Sequence, residues 1–371
     1  MAIFCFNRLE KVLDLLTNSK IIYIINKYFE YQNSLGGKIL GVRIVSTGKA
    51  LPKLRVDNDR IQEFVETDSE WIKSRTGIEA RHVAEEESAL DIAVAAAKQA
   101  LSGSSRGGVG GSKDVVNNPD DIGLVIFATL TPDMLVPSMA SLLKKELGLA
   151  NAVAFDLNAA CSGFIFGTWV AQSLMKTAGI KKALVVGCER LSRVVNWEDR
   201  GTCILFGDGA GAAVYEMDEK FGIIDAYIKN YDDVNDALIC GMNYRNTPFT
   251  KETPNNMYLE MNGNQVFRFA VSAVAEVMET LFERTKTKPE DIDFFVPHQA
   301  NIRIINNIAN KFDIPLEKFQ ISIENTGNTS AASVPMALDD LLRSGKVKEG
   351  DKIMLVGFGG GLSAGAILME V

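Results

Sequence analysis

Asp156-Leu-Asn-Ala-Ala-Cys161-Ser-Gly-Phe164 is the stretch whose reading decides the fold. Before it, Val153, Ala154, Phe155 and Leu157 form an apolar run, which predicts a buried strand. After it, Phe164, Ile165, Trp169, Val170, Leu174 and Met175 recur at helical spacing. Cys161 sits at the joint, among small residues that leave room for a ligand. A thiol at a helix N-terminus feels the positive end of the helix dipole, which favours thiolate. A small buried core cysteine is the other reading of the same residue.

Outward from this joint, the pattern is of helices alternating with apolar strands, as in an α/β protein with largely buried sheets. Ile122–Ala128, Ala183–Gly187 and Ile223–Ile228 read as strands, as does Ile39–Val45 at the start of the body. Asn58–Val65, Ser69–Gly77, Ser88–Leu101, Ser138–Leu147 and Asn264–Thr285 read as helices. Asp293-Phe-Phe-Val-Pro-His298 reads as a strand running straight into a helix, and Ile321–Asn328 as a strand and turn before a helix over Ser330–Leu342. Residues Asp232–Met257 read as irregular. Phe206-Gly-Asp-Gly-Ala-Gly-Ala-Ala-Val214 is echoed by Phe358-Gly-Gly-Gly-Leu-Ser-Ala-Gly-Ala-Ile367 with two extra residues, each at the end of an alternating half. The echo suggests duplicated halves at 38–220 and 221–371; chance likeness of two Gly/Ala-rich turns is the competing account.

Residues 1–37 stand apart, with Leu9, Val12, Leu13, Leu16, Ile21, Ile24, Ile25 and Phe29 at helical spacing. Asp14, Lys20 and Lys27 interrupt the run, so a membrane span is not expected. An extra helix, a poorly ordered tail, a surface-binding helix and an organelle-targeting leader all fit the pattern. Residues 102–119 are Gly/Ser-rich and read as a surface loop or insertion.

At 371 residues the chain exceeds one ordinary core, and 47% hydrophobic with 23% charged residues fits a soluble globular protein. A net charge of −8 argues against a general nucleic-acid binder. The five cysteines are widely spaced and include no Cys-x-x-Cys, which suits reduced thiols in a cytoplasmic setting. With only two histidines, His82 and His298, a His/Cys metal site is not expected. Cys161, His298 and Asn328 each fall at a strand end, and in open α/β sheets such ends gather at one site.

Together, Ala159-Ala-Cys161-Ser-Gly-Phe164, Val296-Pro-His298-Gln-Ala-Asn301, Gly327-Asn328-Thr-Ser-Ala-Ala-Ser-Val-Pro335 and Phe358-Gly-Gly-Gly361 resemble the β-ketoacyl-acyl-carrier-protein synthase III family of the thiolase superfamily. Glu70-Trp71-Ile-Lys-Ser-Arg75-Thr-Gly-Ile78, Asp199-Arg200-Gly-Thr202 and Phe206-Gly-Asp-Gly-Ala-Gly-Ala212 add to the match, which runs from about Lys38 to the C-terminus. The resemblance implies a thiolase-like five-layered α/β/α/β/α fold, working as a homodimer. It implies a Cys161–His298–Asn328 triad, with the Cys161 and Gly360 amides as an oxyanion hole. The reaction it implies is initiation of fatty-acid synthesis: acyl-CoA acylates Cys161, malonyl-carrier protein loses CO₂, and the carbanion attacks the acyl-enzyme. No metal or redox cofactor is implied, because CoA is a substrate carrier.

By the same resemblance Trp71, Arg75, Arg200 and Arg303 bind CoA or guard the entrance, and Asn264 lines the pantetheine tunnel. Arg268, Arg303 and Lys311 form a basic rim for an acidic acyl carrier protein. Salt-bridged or solvated surface residues are the plain alternative for these positions. His82 reads as structural. Val136 stands where acetyl-selective members carry a phenylalanine that closes the acyl pocket across the dimer, so a deeper pocket and longer or branched primers are expected. Rival readings are a condensing enzyme of secondary metabolism and a non-catalytic carrier-protein-binding paralogue. A degradative thiolase would need a second cysteine near the C-terminus, and the last here is Cys240. The plastid-like compartment stays as the alternative location if the first 37 residues are a leader.

Overall fold

The structure, a computed structural model, describes residues 41–103, 118–241, 248–249 and 258–371. The extension at 1–37 and most of the 102–119 insertion therefore lie outside the described residues.

The chain opens with β1 (Gly41–Ala50) and β2 (Leu54–Asp57), then α1 (Asn58–Ile61), α2 (Ser69–Thr76) and β3 (Ala80–Val83), which pairs antiparallel with β2. Asp68 caps α2 by accepting from the Trp71 amide, and Gly77 closes it at φ 83°, as its position after Thr76 predicts. Helix α1 stops four residues short of Val65, and Phe64 beyond it is half exposed. Next come α3 (Ala89–Ser102), β4 (Ile122–Ala128), α4 (Met139–Glu146), β5 (Val153–Leu157), α5 (Gly163–Ala178), β6 (Lys182–Glu189), α6 (Arg200–Cys203) and β7 (Gly209–Asp218). Ser88 and Asp91 form a capping box on α3, whose buried alanines let it sit close on the sheet. A Cβ on Gly48 would come within 2.2 Å of the Ala96 carbonyl oxygen, so that strand position admits only glycine.

The remainder is β8 (Gly222–Asn230), β9 (Leu238–Cys240), β10 (Leu259–Met261), α7 (Gly263–Thr285), β11 (Phe294–Pro297), α8 (Ile302–Lys311), α9 (Ile323–Thr326), α10 (Ser333–Arg343), β12 (Lys352–Gly359) and β13 (Ser363–Glu370). Strand β9 falls within the stretch that reads as irregular from sequence, and it pairs with β10 just beyond that stretch. The expected strand at Ile321–Asn328 is instead the one-turn helix α9. The Gln299 side chain supplies the reason: its Oε1 accepts from the Ser322 and Ile323 amides, which a strand partner would otherwise satisfy. The same side chain donates to the Pro297 and Gln320 carbonyls, so residues after His298 stay extended and α8 starts only at Ile302, capped by Asn301.

Two sheets carry the fold. The first has the order β1-β7-β6-β4-β5 and the second β8-β13-β12-β11. In both, the first two pairings are antiparallel and the third parallel, so the second sheet repeats four strands of the first in order and sense. Helices α3 and α4 pack on the first sheet, α7 packs on the second with α8 against it, and α5 and α10 each contact both sheets. The result is five layers, α/β/α/β/α. One apolar cluster unites the middle: Phe164 and Ile165 of α5, Val334 and Leu338 of α10, Leu124 and Val185 of the first sheet, Leu355 and Ile367 of the second. Side chains this fully buried contribute roughly 1.5–3 kcal/mol each. Trp169, part of the apolar run of α5, is 40% exposed. The middle helices begin alike: a 3-10 turn over Ala160–Ser162 leads into α5, and one over Ser330–Ala332 into α10.

Candidate active site

Strand β5 ends at Leu157, and the chain must turn sharply before α5. Asn158 Oδ1 accepts from the Ala160 amide, and Ala160 takes φ 44°, a left-handed conformation that costs a non-glycine residue energy. This turn sets Cys161 at the start of a 16-residue helix, 7% exposed and on the wall of a cavity of about 1500 Å³. The strand β12 passes close behind it. A Cβ on Gly359 would lie 2.6 Å from Cys161 Cβ and 3.0 Å from its sulfur. Ser363 Oγ lies 3.1 Å from both Ser162 Oγ and the Gly360 carbonyl, and ties the Cys161 turn to the glycine turn.

The Ser330 hydroxyl and the backbone amides of Cys161 and Gly360 favour the charged form of the sulfur. Burial nevertheless pushes the thiol up to about 11, against those polar groups and with the charge of Glu189 adding to the rise. This corrects the expectation of a resting thiolate: desolvation outweighs the helix terminus.

His298 follows β11, and its amide donates to the Val356 carbonyl at 2.7 Å. Its Nδ1 lies 2.5 Å from Ser333 Oγ, and its ring meets Phe358 edge-on at 5.0 Å. Ser333 Oγ also accepts from the Gln299 amide at 3.4 Å. A hydroxyl that donates to Nδ1 leaves the imidazole hydrogen on Nε2, the nitrogen available to the cavity. Burial lowers the imidazole to about 3, so it is neutral at physiological pH.

Asn328 is locked by its backbone. Its amide donates to the Leu205 carbonyl at 2.8 Å, and its carbonyl accepts from the Gly207 amide at 3.0 Å. Its Oδ1 accepts from the Ser330 amide at 2.9 Å, so Nδ2 is the end presented to the cavity. Buried Arg81 braces this segment by donating to the Ile204 carbonyl at 2.6 Å and to Asn58 Oδ1 at 2.9 Å.

Cys161, His298, Asn328 and Gly360 line the one cavity, and Trp71, Arg75 and Asn264 line it too. Arg200 lies outside its wall, with its guanidinium 4.9 Å over the Trp71 ring. Arg303 is likewise outside, 5.7 Å from the ring of Phe267, which lines the cavity. Arg268 is exposed on α7, and Lys311 is paired with Glu279 at 3.0 Å. Val136 is 86% exposed and not on the cavity wall of its own chain, whereas Met134 and Leu135 of the same loop are. His82 is held away from the cavity by a 2.6 Å hydrogen bond between Nδ1 and the Pro52 carbonyl.

Sequence reading missed Ser330, Ser333, Gly359 and Glu189. The first two stand inside the Gly327–Pro335 motif, and their hydroxyls were the signal. Gly359 lies in the glycine turn, one residue before the amide singled out there. Glu189 is a carboxylate closing an apolar strand, a place where burial makes a charge conspicuous.

Two family models match the chain: 3-oxoacyl-[acyl-carrier-protein] synthase III over residues 155–231, and its C-terminal counterpart over 282–371. A beta-ketoacyl-[acyl-carrier-protein] synthase III from Clostridium beijerinckii is 46% identical over 330 residues, covering 89% of this chain and 99% of the relative. The crystal structure of 3-oxoacyl-[acyl-carrier-protein] synthase III from Aquifex aeolicus superposes with a TM-score of 0.80 at 40% identity, over 89% of this chain and 100% of that one. The priming beta-ketosynthase of the R1128 polyketide pathway gives a TM-score of 0.79 at 34% identity, over 89% and 96%.

Proposed function

The chain belongs to the β-ketoacyl-[acyl-carrier-protein] synthase III family of thiolase-fold condensing acyltransferases, and from that premise we propose that it initiates fatty-acid synthesis through an acyl group carried on Cys161. The observation that supports this most is the meeting of Cys161, His298, Asn328 and Gly360 on one cavity wall. The sulfur attacks the acyl-CoA carbonyl, and the amides of Cys161 and Gly360 hold the oxygen on which charge develops. CoA leaves, and malonyl-carrier protein enters. His298 Nε2 and Asn328 Nδ2 donate to its thioester oxygen as CO₂ departs and enolate charge builds. A neutral imidazole suits this step, since it stabilises the enolate without placing a full cation beside the attacking carbon.

Trp71, Arg75 and Arg200 form the nucleotide end of the CoA path, with Arg303 and Asn264 nearer the entrance. Arg268, Arg303 and Lys311 receive the acidic carrier protein; the Lys311–Glu279 pair is exposed on both sides and exchanges partners at little cost. We place the reaction in the cytoplasm, and no helix of the described residues is long and apolar enough to cross a membrane.

The functional test is acylation itself. Incubation with acetyl-, isobutyryl- and octanoyl-CoA is expected to add the matching acyl mass to the Cys161 peptide, with isobutyryl-CoA accepted at least as readily as acetyl-CoA because Val136 is small. No added mass with any donor would end the proposal, and strict acetyl selectivity would end the part resting on Val136. Priming of a polyketide is the second reading, which the likeness to the R1128 enzyme favours; the carrier protein accepted in the condensation step separates the two.

A homodimer accounts for the outer edge of the first sheet. Among the described residues strand β5 has one neighbour, β4, and Val153 on it is 61% exposed. Half-exposed Trp169 of α5 and the Met134–Val136 loop add further uncovered apolar surface. A second copy covering this edge would bring Val136 to its partner's acyl pocket. Light scattering is expected to give twice the chain mass, falling to the monomer mass in a Val153→Lys/Trp169→Asp double variant; a monomeric wild type would contradict the assignment.

A further inference from the structure

Glu189 is fully buried at the end of β6, and none of the steps above uses it. Its two oxygens are held unequally. Oε2 accepts from Thr129 Oγ1 at 3.1 Å, the Leu130 and Thr131 amides at 3.1 Å, and Thr131 Oγ1 at 2.5 Å. Oε1 shares only the Leu130 amide, at 3.2 Å, and the Ser330 hydroxyl, at 3.3 Å. The same hydroxyl favours the charged form of the Cys161 sulfur, and Ser330 and Cys161 line the same cavity. A serine hydroxyl has one hydrogen and cannot donate both ways at once. With Glu189 ionised, Ser330 donates to Oε1 and can accept from the Cys161 S–H.

We propose that Glu189, acting through the Ser330 hydroxyl, is the general base that takes the Cys161 proton as the thiol attacks the acyl-CoA. The inference rests on the acyl-transfer reading and supplies the acceptor that reading lacks. As the S–C bond forms, the thiol proton passes to Ser330 Oγ and the serine's own proton passes to Glu189 Oε1. The carbonyl electron pair moves to the oxygen held by the two amides. When the tetrahedral adduct collapses, the bond to the CoA sulfur breaks, its electron pair leaves on that sulfur, and the proton returns along the same route. Glu189 ends as a carboxylate and CoA leaves as a thiol.

The electrostatics agree with this geometry. Burial raises the Glu189 carboxyl to about 7, so it changes charge where a base for neutral pH should. Its charge raises the thiols of Cys161, Cys188 and Cys240. Other charged groups around this stretch are Arg190 and Asp133, 3.9 Å apart beyond Thr131, whose Oγ1 accepts from the Arg190 amide, and Asp208, whose carboxylate accepts from Ser192. Neutral His298 carries no charge to compete with this pair.

The test is single-turnover acylation of the full-length protein by acetyl-CoA between pH 5.5 and 9, read as mass on the Cys161 peptide. The wild type is expected to show a rising limb near pH 7. Glu189→Gln keeps the shape and the Oε2 contacts but cannot take a proton; at pH 7.5 it should acylate about 100-fold more slowly, with the limb moved to higher pH. Ser330→Ala, which breaks the relay and leaves Glu189 in place, should do the same. Condensation from enzyme acylated beforehand at high pH should stay within about threefold of wild type in both variants, a readout that a collapsed site would not preserve. Rates within threefold of wild type and an unmoved limb in both variants would overturn the relay. Should the wild type take up no acyl group, the acyl-transfer reading has failed; the relay is then decided by iodoacetamide alkylation of Cys161, and stands only if both substitutions move that reaction's neutral limb.

Discussion

Adding one methyl group at Gly359 is expected to abolish acylation of Cys161. The new Cβ would stand 2.6 Å from Cys161 Cβ, 3.0 Å from its sulfur and 3.1 Å from its amide nitrogen. Neither side can yield cheaply: Gly359 ends a β12 buried throughout its last seven residues, and Cys161 is pinned between the left-handed Ala160 and α5. The nucleophile must therefore shift by a sizeable fraction of an ångström, and displacements of that order cost about 100-fold in rate or more. Overpacking should also remove about 1–3 kcal/mol of stability. Gly360→Ala provides the contrast. Its Cβ would meet Ala160 Cβ at 3.5 Å, an ordinary contact, so that variant should fold and acylate within about threefold of wild type. Single-turnover acylation with a thermal melt of both variants checks the pair; equal acylation by Gly359→Ala and wild type would refute this account of the cavity wall.

Asn328→Asp is expected to stop condensation while leaving acylation running. The substitution keeps Oδ1, and with it the 2.9 Å hydrogen bond from the Ser330 amide that shapes the turn. What it removes is the Nδ2 donor, and what it adds is a negative charge where enolate charge must build. Loss of one donor of this kind costs roughly 10²–10³ in rate, and the repulsion adds to it. Acyl-Cys161 should accumulate on addition of acyl-CoA and persist when malonyl-carrier protein follows. His298→Ala should split the half-reactions in the same direction. Failure of either variant to acylate would mean that these residues serve the first step, and that the division of roles between the Cys161 and Asn328 turns is wrong.

Much of this site was legible in the residues themselves because its parts are local. Cys161 lies between an apolar run of strand length and one of helical period, and such joints can be read without tertiary information. His298 after Pro297 and Asn328 after Gly327 carry the same kind of signal. The resemblance then placed Gly360, Trp71, Arg75 and Asn264, all of which line the cavity. The failures have a common cause in long-range contacts. Residues Ile321–Asn328 have strand-like composition, yet a buried glutamine side chain 23 and 24 residues away claims the two amides that would have paired. The resting state of the Cys161 sulfur depends on full desolvation and on Glu189, neither of which its sequence neighbours reveal. Arg200 and Arg303 touch aromatic rings rather than the cavity itself, a distinction set by rotamer and not by spacing. The 14-residue α3, by contrast, starts and stops where its capping box and Gly103 say it must.

The matching 3-10 turns ahead of α5 and α10 place Ala331 where the other turn has Cys161. One turn thus carries the Cys161 sulfur, while its twin has an alanine there and contributes Ser330 and, at the first residue of α10, Ser333, close after Asn328. The Cys161 turn follows β5 of the first sheet but packs on β12 and β13 of the second, while the Ser330 turn packs on β6 and β7 of the first, so the two meet only where the sheets are joined. Any slippage between the sheets would separate sulfur from serine before disturbing either layer's internal ladder, so catalytic competence should vanish earlier than secondary structure as the molecule is loosened.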